Sequence, residues 1–346
     1  MRPHLLGTAA ALALSLPSAA LGIALRRGLD RLTMPVHGRP ADPSVGFAVD
    51  ALGGEVVRLR SRDGLRLAGR WLPAEPASGD EWLPDPREAI VLLHGHGGSS
   101  AADLLEFGPF LRRTAGVLAF DFRGHGGSDA ALTSMGLHEV EDVAGALSWL
   151  AERGVSRVAL FGTSMGALTA LAALAVLGDG SLVAADIDPD APRDDRAPAP
   201  PRLVGIVADS ATPQLAAAIA SEVRGALARP FARPLVGLLL IAATRRLGGD
   251  PRAIEPGRIA PLLDSVPILL VHGEADRTMP VEATRRLAET IGPSAELWTV
   301  PEAGHGRAHR VEPAGYEARL TGFLRRVLAA ARDSGPIIAT GTPDVS

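Results

Sequence analysis

Residues 160–171 place a serine between two glycines, where an apolar run meets a stretch of small and apolar residues. The central five are Gly162-Thr163-Ser164-Met165-Gly166, and their context predicts a strand, a very tight turn and a helix. The glycines remove side chains where strand and helix crowd each other, which leaves the serine hydroxyl exposed at the end of the strand. The N-terminus of the helix contributes partial positive charge that suits an oxyanion. Ser164 is therefore a candidate nucleophile, and the alternative is a helix-capping serine in an ordinary turn.

A serine nucleophile needs a base, and the base needs a carboxylate that orients it. His305 lies between glycines in Glu302-Ala303-Gly304-His305-Gly306, just after the last predicted strand. Asp276 follows another predicted strand and precedes a predicted helix. The order serine, acid, histidine along the chain is that of one particular fold, so Ser164, Asp276 and His305 form the predicted triad.

Two other carboxylates compete for the role of the acid. Asp209 follows a strand that is predicted to end at Ala208, and a loop-capping role is the preferred interpretation for it. Glu274 lies two residues before Asp276 and is expected to face away from the histidine. Asp276 could itself cap the helix that follows, so its assignment depends on the order of all three triad residues.

A glycine-rich loop, His94-Gly95-His96-Gly97-Gly98, follows a predicted buried strand and can turn backbone N–H groups towards a cavity. The N–H groups of His96 and Met165 are the predicted oxyanion donors. The imidazoles of this loop also allow a zinc site with Asp121 or His125, but no third ligand is convincingly spaced. We therefore predict no metal and no organic cofactor.

Short apolar runs alternate with amphipathic stretches from about residue 55 onwards, and Asp63-Gly64 predicts a hairpin turn between the first two. This alternation is typical of a parallel sheet covered on both faces, with an antiparallel hairpin at its start. The predicted strands are 55–60, 66–72, 89–93, 116–120, 157–161, 203–208, 267–271 and 295–300, and the predicted helices are 101–113, 137–153, 164–177, 281–291 and 313–331.

Two segments interrupt this alternation within a predicted domain at 50–331. Residues 179–202 are acidic and proline-rich, which predicts a disordered surface loop. Residues 211–261 are long for a connection and include an apolar stretch, which is more typical of a cap or lid than of a plain loop. The chain is predicted to end in a disordered tail at 332–346.

Residues 5–25 carry no charge and have about the length of a membrane-spanning helix. The first 30 residues are therefore predicted to hold a transmembrane anchor. A signal peptide cleaved near Ser18-Ala19-Ala20 and a buried helix of the domain are the alternatives. Arg26, Arg27 and Arg31 follow the apolar segment, whereas only Arg2 precedes it. The positive-inside rule then places the catalytic domain in the cytoplasm, and a cleaved signal would place it outside.

Composition limits the classes of function. The chain has 346 residues, of which 47% are hydrophobic, enough for one large α/β core. A formal net charge of -4 argues against a nucleic-acid partner. The absence of cysteine excludes disulfides, thiol nucleophiles and thiolate-bound metals.

Five motifs together resemble the α/β-hydrolase superfamily over residues 55–331. They are HGHGG at 94–98, DFRGHGGS at 121–128, GTSMG at 162–166, HGEADRTMP at 272–280 and AGH at 303–305, all in the family's order. The chain looks most like the bacterial serine aminopeptidase-like or BEM46-like branch with an N-terminal membrane segment.

This resemblance implies an α/β-hydrolase fold: a mostly parallel eight-stranded sheet with helices on both faces and a small cap inserted after the sixth strand. It also implies Ser164 as nucleophile, Asp276 as acid, His305 as base, and His96 and Met165 as oxyanion donors. A serine at position 164 disfavours the dehalogenase and epoxide-hydrolase branches, in which an aspartate attacks.

The predicted function is hydrolysis of a carboxylic ester or thioester through an acyl-enzyme on Ser164. A peptidase, an amidase or an acyltransferase could use the same triad, because only the pocket selects the acyl acceptor. A non-catalytic hydrolase-like binding protein is an alternative of a different class. The apolar stretch of the lid and the N-terminal segment together suggest a small, lipophilic acyl substrate that partitions from a membrane.

Overall fold

Eight strands form one sheet in the computed structural model, which describes residues 26–30, 33–35, 48–76, 78–178, 198–211 and 229–333. All eight predicted strands are confirmed, with ends that shift by no more than two residues. In chain order they are β1 Glu55–Arg60, β2 Arg66–Leu72, β3 Glu88–Leu93, β4 Gly116–Phe120, β5 Arg157–Thr163, β6 Arg202–Asp209, β7 Ile268–Gly273 and β8 Ala295–Val300.

The strand order across the sheet is β1-β2-β4-β3-β5-β6-β7-β8. Strand β2 is antiparallel to both β1 and β4, and all other neighbours are parallel. Strands β3 to β7 are buried along nearly their whole length, as expected where helices cover both faces of a sheet. Because β5, β6 and β7 are adjacent and parallel, the residues at and just beyond their carboxyl ends meet at one edge of the sheet. These residues include Ser164, Asp209 and Asp276.

Helices cover both faces of the sheet. Buried side chains form two apolar layers, one built with α2, α3 and α6 and the other with α1 and α8. This arrangement confirms the expected mostly parallel eight-stranded sheet between helical layers. Among the described residues after β3, the helices are α1 Ser100–Leu111, α2 Glu139–Glu152, α3 Met165–Leu177, α4 Arg229–Leu247, α5 Pro256–Ile259, α6 Val281–Ile291, α7 Ala308–Val311 and α8 Pro313–Asp333.

Several helix ends differ from their predicted positions. Helix α2 begins at Glu139 rather than at 137, because the Glu139 carboxylate accepts hydrogen bonds from Ser134 and from the Gly136 N–H and holds that segment as a loop. Helix α8 continues through Arg332 to Asp333, which the sequence placed in the tail. An ion pair of 2.6 Å between Arg332 and Glu88 ties this last turn to β3.

Some predictions fall outside the described residues. They are the apolar segment at 5–25, most of the acidic loop at 179–197, and the tail at 334–346. Within the described ranges, none of the helices is both long and apolar enough to cross a bilayer. Arg202, predicted as the last residue of the acidic loop, is instead the first residue of β6.

The connection between β6 and β7 contains α4, a 3₁₀ turn at Pro251–Ile254 and α5 among its described residues. Helix α4 contacts Asp30, whose Oδ1 atom lies 2.6 Å from Arg246 Nη1. Its C-terminal carbonyl at Leu247 lies 2.9 Å from His138 Nε2, just before α2. The role of 211–261 as a lid stays a prediction.

The turn between β5 and α3 brings the backbones of helix and sheet into contact. A Cβ atom on Gly166 would lie 2.0 Å from the Leu93 carbonyl oxygen of β3, and one on Gly162 would lie 2.3 Å from the Gly166 carbonyl carbon. Ser164, between the two glycines, has φ 52° and ψ -112°. This conformation is rare for residues with a side chain and persists only where the surroundings impose it.

A buried ion-pair network holds the loop after β4. The Arg123 guanidinium contacts Asp142 of α2 at 2.8 Å and Asp63 of the β1–β2 turn at 2.8 Å. The Arg123 side chain is 5% exposed and the Asp142 side chain is fully buried, so neither charge is solvated by water. The network joins the hairpin, the loop and α2 into one unit.

Substitution of Gly166 by alanine should destabilise the protein by about 3 kcal/mol, the upper end of the usual cost of overpacking, because the new methyl group would overlap backbone atoms that cannot move aside. Gly322→Ala is the matched control, since a Cβ atom there meets nothing within 4 Å inside helix α8. We expect the control to be neutral or stabilising by up to about 1 kcal/mol. Chemical denaturation measures both, and equal stabilities would contradict the close approach.

Substitution of Arg123 by methionine should lower the free energy of unfolding by about 3–5 kcal/mol, because it leaves the buried Asp142 carboxylate with only the backbone N–H of residue 123 and no positive charge beside it. Arg66→Met breaks an ion pair with Asp129 in which the arginine side chain is 76% exposed, and should cost less than about 1 kcal/mol. Urea titration of both variants measures the difference. A smaller loss for Arg123→Met than for Arg66→Met would refute the assignment.

Candidate active site

Ser164 and His305 lie within hydrogen-bond distance at the carboxyl edge of the sheet. Ser164 Oγ is 2.9 Å from His305 Nε2, although the two residues are 141 positions apart in the chain. The Ser164 N–H donates to the Asp209 carbonyl oxygen at 2.8 Å, which fixes the turn to the end of β6. The side chain of His305 is 28% exposed, so the pair lies in an open cleft rather than in the core.

Asp276 contacts the other nitrogen of the same histidine. Its Oδ2 atom lies 2.7 Å from His305 Nδ1, and its Oδ1 atom accepts hydrogen bonds from the Thr278 and Met279 N–H groups at 2.8 Å each. Burial on its own raises the pKa of Asp276. The bond with His305 and those from the backbone outweigh burial and bring the pKa below its ordinary value. Asp276 is therefore an anion at neutral pH.

These contacts fix the roles of the two imidazole nitrogens. A carboxylate can only accept a hydrogen bond, so the proton of the neutral His305 ring belongs on Nδ1, towards Asp276. The Nε2 atom then has a free lone pair that accepts the Ser164 hydroxyl proton. The structure thus brings the three residues of the predicted triad together in the order that general-base activation of a serine requires.

The glycine-rich loop after β3 lies beside the serine. A Cβ atom on Gly95 would lie 3.5 Å from the Ser164 Cβ atom, so the loop passes directly next to the nucleophile candidate. Within the described residues, the His96 and Met165 N–H groups donate no hydrogen bond to the protein. Met165 is also the first residue of α3, where the helix leaves N–H groups unpaired. Neither N–H group is therefore occupied by a described protein acceptor, and their role as oxyanion donors stays a prediction.

Two other histidines hold this loop in place. His94 Nε2 accepts a hydrogen bond from the Phe122 N–H at 3.0 Å, and His125 Nε2 accepts one from the Gly97 N–H at 3.2 Å. Burial, together with the nearby His125, lowers the pKa of His94 to about 4, so the His94 ring is neutral. The loop after β4 therefore braces the loop after β3 through the neutral ring of His94 and the ring of His125.

The described residues do not form the zinc site that the sequence allowed. The second nitrogen of His94 lies 2.8 Å from the Gly95 carbonyl oxygen, so both of its ring nitrogens are engaged in hydrogen bonds. In the part of the chain that the structure describes, no group of three or more histidine, aspartate or glutamate side chains could hold a metal ion.

The other two candidates for the triad acid, Asp209 and Glu274, make hydrogen bonds away from His305. Asp209 is buried and accepts hydrogen bonds from the Tyr316 hydroxyl at 2.7 Å and the Ser210 hydroxyl at 2.8 Å. Glu274 accepts a hydrogen bond from the Thr299 hydroxyl at 2.8 Å on the exposed side of the sheet. Neither carboxylate is bonded to His305.

Sequence reasoning missed His272, the first residue of the HGEADRTMP motif. Its Nε2 atom lies 2.9 Å from the Met279 carbonyl oxygen, and its Nδ1 atom lies 3.0 Å from the Thr284 hydroxyl. The ring is fully buried beneath the loop that carries Asp276. A histidine at the end of a buried strand, four residues before the candidate acid, was the available signal.

A partly buried carboxyl, that of Asp103, lies close to the nucleophile turn. Asp103, in the first turn of α1, is 3.4 Å from the hydroxyl of Thr163, the residue before Ser164. Burial, together with the nearby Glu106, raises the pKa of Asp103 to about 7. This side of the cleft therefore carries a carboxyl group that is partly protonated at neutral pH.

Comparison of the sequence with known proteins identifies relatives of this chain. A sequence model described as "Alpha/beta hydrolase family" matches residues 90–319. The protein YfhR of Escherichia coli K12, described as uncharacterized, is 24% identical over 262 residues, or 75% of this chain and 76% of YfhR. YqkD of Bacillus subtilis, also described as uncharacterized, is 29% identical over 247 residues, or 69% of this chain and 72% of YqkD.

Solved structures share the fold at low sequence identity. The esterase Pf2001 of Pyrococcus furiosus is 23% identical with a TM-score of 0.56, over 80% of this chain and 93% of the esterase. Est1E of Butyrivibrio proteoclasticus, solved with ferulic acid bound, is 18% identical with a TM-score of 0.53, over 79% of this chain and 100% of Est1E. The match of the family model over most of the chain shows that this protein belongs to the α/β-hydrolase family.

Proposed function

We propose that this chain is a serine hydrolase that cleaves a carboxylic ester or thioester through an acyl-enzyme on Ser164. The observation that carries the proposal is the continuous hydrogen-bonded chain from Ser164 through His305 to Asp276. Its position at the carboxyl edge of the sheet, in a protein of the α/β-hydrolase family, adds support. Esterase activity is also named for Pf2001, which shares the fold.

In the first half of the reaction the Ser164 oxygen attacks the substrate carbonyl carbon while His305 Nε2 takes the hydroxyl proton. Asp276 keeps the other imidazole proton in place and stabilises the imidazolium that forms. The carbonyl oxygen becomes an oxyanion, which the His96 and Met165 N–H groups stabilise. Collapse of this intermediate expels the alcohol or thiol, which takes the proton from His305.

In the second half water replaces the leaving group. His305 accepts a proton from the water as the water oxygen attacks the acyl carbon, and the same oxyanion site holds the new intermediate. Breakdown releases the carboxylic acid and returns the proton to Ser164. Each step uses side chains and backbone groups of this chain, so the chemistry calls for no metal or organic cofactor.

The substrate that we propose is a small lipophilic acyl compound. Helix α4, between β6 and β7, leaves the large apolar side chains of Leu238 and Ile241 about half exposed. A lid that includes this helix and an N-terminal membrane anchor at 5–25 would bring such a substrate to the cleft from a bilayer. Turnover that does not rise with acyl length would contradict this part of the proposal.

A different leaving group or a different acyl acceptor gives the alternative activities. An amine leaving group makes the same site a peptidase or amidase, and an alcohol in place of water makes it an acyltransferase. A non-catalytic binding protein would keep the fold without using the triad. The hydrogen-bonded Ser164–His305 pair favours catalysis over this last alternative, because binding alone does not require it.

The test is covalent labelling of the full-length protein in detergent by a fluorophosphonate probe, with hydrolysis of p-nitrophenyl esters of increasing acyl length as the second readout. Ser164→Ala and His305→Ala should abolish labelling and lower kcat by at least about 10⁴-fold. Asp276→Asn should lower kcat by about 10⁴-fold, because the imidazole loses its fixed tautomer.

Ser148→Ala is the control for loss of a serine hydroxyl. Ser148 lies on α2, donates to the Ala144 carbonyl oxygen and makes no hydrogen bond to a triad residue. This variant should label and turn over like the wild type. Hydrolysis that persists in Ser164→Ala would refute the proposed nucleophile, and a folded wild type without labelling or turnover would favour the binding protein.

A further inference from the structure

The end of strand β6 contacts the turn of Ser164, the loop of His305 and the strand that leads to Asp276. The Asp209 carbonyl oxygen accepts the hydrogen bond from the Ser164 N–H at 2.8 Å. The Ser210 N–H donates to the Val271 carbonyl oxygen at 2.8 Å, on the strand that leads to Asp276. The Ser210 hydroxyl oxygen accepts a hydrogen bond from the Gly306 N–H at 3.0 Å, next to His305.

The Ser210 hydroxyl has a fixed direction. The hydroxyl donates to Asp209 Oδ1, which lies 2.8 Å from the Ser210 oxygen. A lone pair of that oxygen is then left to accept the Gly306 N–H. The other oxygen of Asp209 accepts the Tyr316 hydroxyl of α8 at 2.7 Å. Asp209, Ser210 and Tyr316 are 2%, 1% and 0% exposed, so water does not compete for these bonds.

The backbone at Ser210 is also constrained. Its φ angle is 56°, a left-handed conformation that is uncommon for residues with a side chain. Ser164 has a similar φ angle of 52°. Strained residues of this kind persist where surrounding contacts hold them, and they concentrate at functional sites. At Ser210 the strain turns the chain so that the hydroxyl reaches the loop of His305.

We propose that Ser210, oriented by Asp209 and Tyr316, is a positioning residue that sets the distance between His305 and Ser164. This inference rests on the proposed function, because it assigns a role in the same reaction. Ser210 touches neither the substrate nor the reacting atoms. It acts by holding the Gly306 N–H, and with it the adjacent imidazole, against the strand that also fixes the Ser164 turn.

The competing explanation is a buried polar cluster that only stabilises the fold. Ser61 offers a matched control, since its hydroxyl donates to the Asp63 carboxylate and accepts from the Leu65 N–H in the β1–β2 turn. Ser61 is 3% exposed, so both serines are buried and make the same two kinds of bond. Of these two serines, only Ser210 bonds the loop that carries His305.

The experiment compares Ser210→Ala, Tyr316→Phe and Ser61→Ala in the full-length protein. Steady-state hydrolysis of one p-nitrophenyl ester, the rate of fluorophosphonate labelling and the thermal midpoint are measured for each. We expect Ser210→Ala to lower kcat and the labelling rate by about 10- to 100-fold with KM within about two-fold, because a base displaced by about 1 Å no longer meets the hydroxyl.

Tyr316→Phe should lower kcat less than Ser210→Ala, since it frees Asp209 but keeps the bond to the Gly306 N–H. Ser61→Ala should lower the thermal midpoint by a similar amount to Ser210→Ala and keep kcat within about two-fold. If Ser210→Ala does not fold, the loss of kcat in a folded Tyr316→Phe variant carries the test.

The outcomes separate this inference from the proposed function. If Ser164→Ala abolishes labelling but Ser210→Ala and Tyr316→Phe both keep kcat within about two-fold, the triad stands and the positioning role falls. A rise in KM without a fall in kcat in Ser210→Ala would also refute that role. If Ser164→Ala keeps full activity, the proposed function and the role of Ser210 fall together.

Discussion

The close approach of helix α3 to strands β3 and β5 is the constraint on which the rest of the site depends. Gly166 lies against the Leu93 carbonyl oxygen with no room for a side chain. A Cβ atom on Gly162 would likewise overlap the Gly166 backbone, at 2.3 Å from its carbonyl carbon. The chain can make this contact only by turning sharply at Ser164, which forces a left-handed φ angle there. That turn places the hydroxyl outside the edge of the sheet, where His305 can reach it.

The loops around Ser164 hold the charged and polar groups of the site by hydrogen bonds within the protein. The Asp276 carboxylate is held by two backbone N–H groups and by His305, and the loop beside Ser164 is braced by the neutral ring of His94. Fixed donors of this kind need no rearrangement when charge develops on the bound carbonyl. The same edge of the sheet thus carries both the proposed acid–base relay and the proposed backbone donors for an oxyanion.

Much of this arrangement is predictable from the sequence because it depends on local signals. Apolar runs of strand length, glycines beside Ser164 and the order of Ser164, Asp276 and His305 predict the sheet and the candidate triad. The contacts at Ser210 carry no such signal. Tyr316 and Asp209 are 107 positions apart, and nothing in either segment indicates that they meet. The ends of α2 and α8 depend likewise on tertiary contacts of Glu139 and Arg332.

The most direct test of the account is to trap the acyl-enzyme itself. The full-length protein would be mixed with a p-nitrophenyl ester, quenched in acid during the first turnover and digested, and the acylated peptide identified by mass spectrometry. The account predicts one acyl group per chain, on Ser164, and its accumulation in step with a burst of p-nitrophenol. An adduct on another residue, or turnover without any adduct or burst under conditions where deacylation is slow, would contradict it.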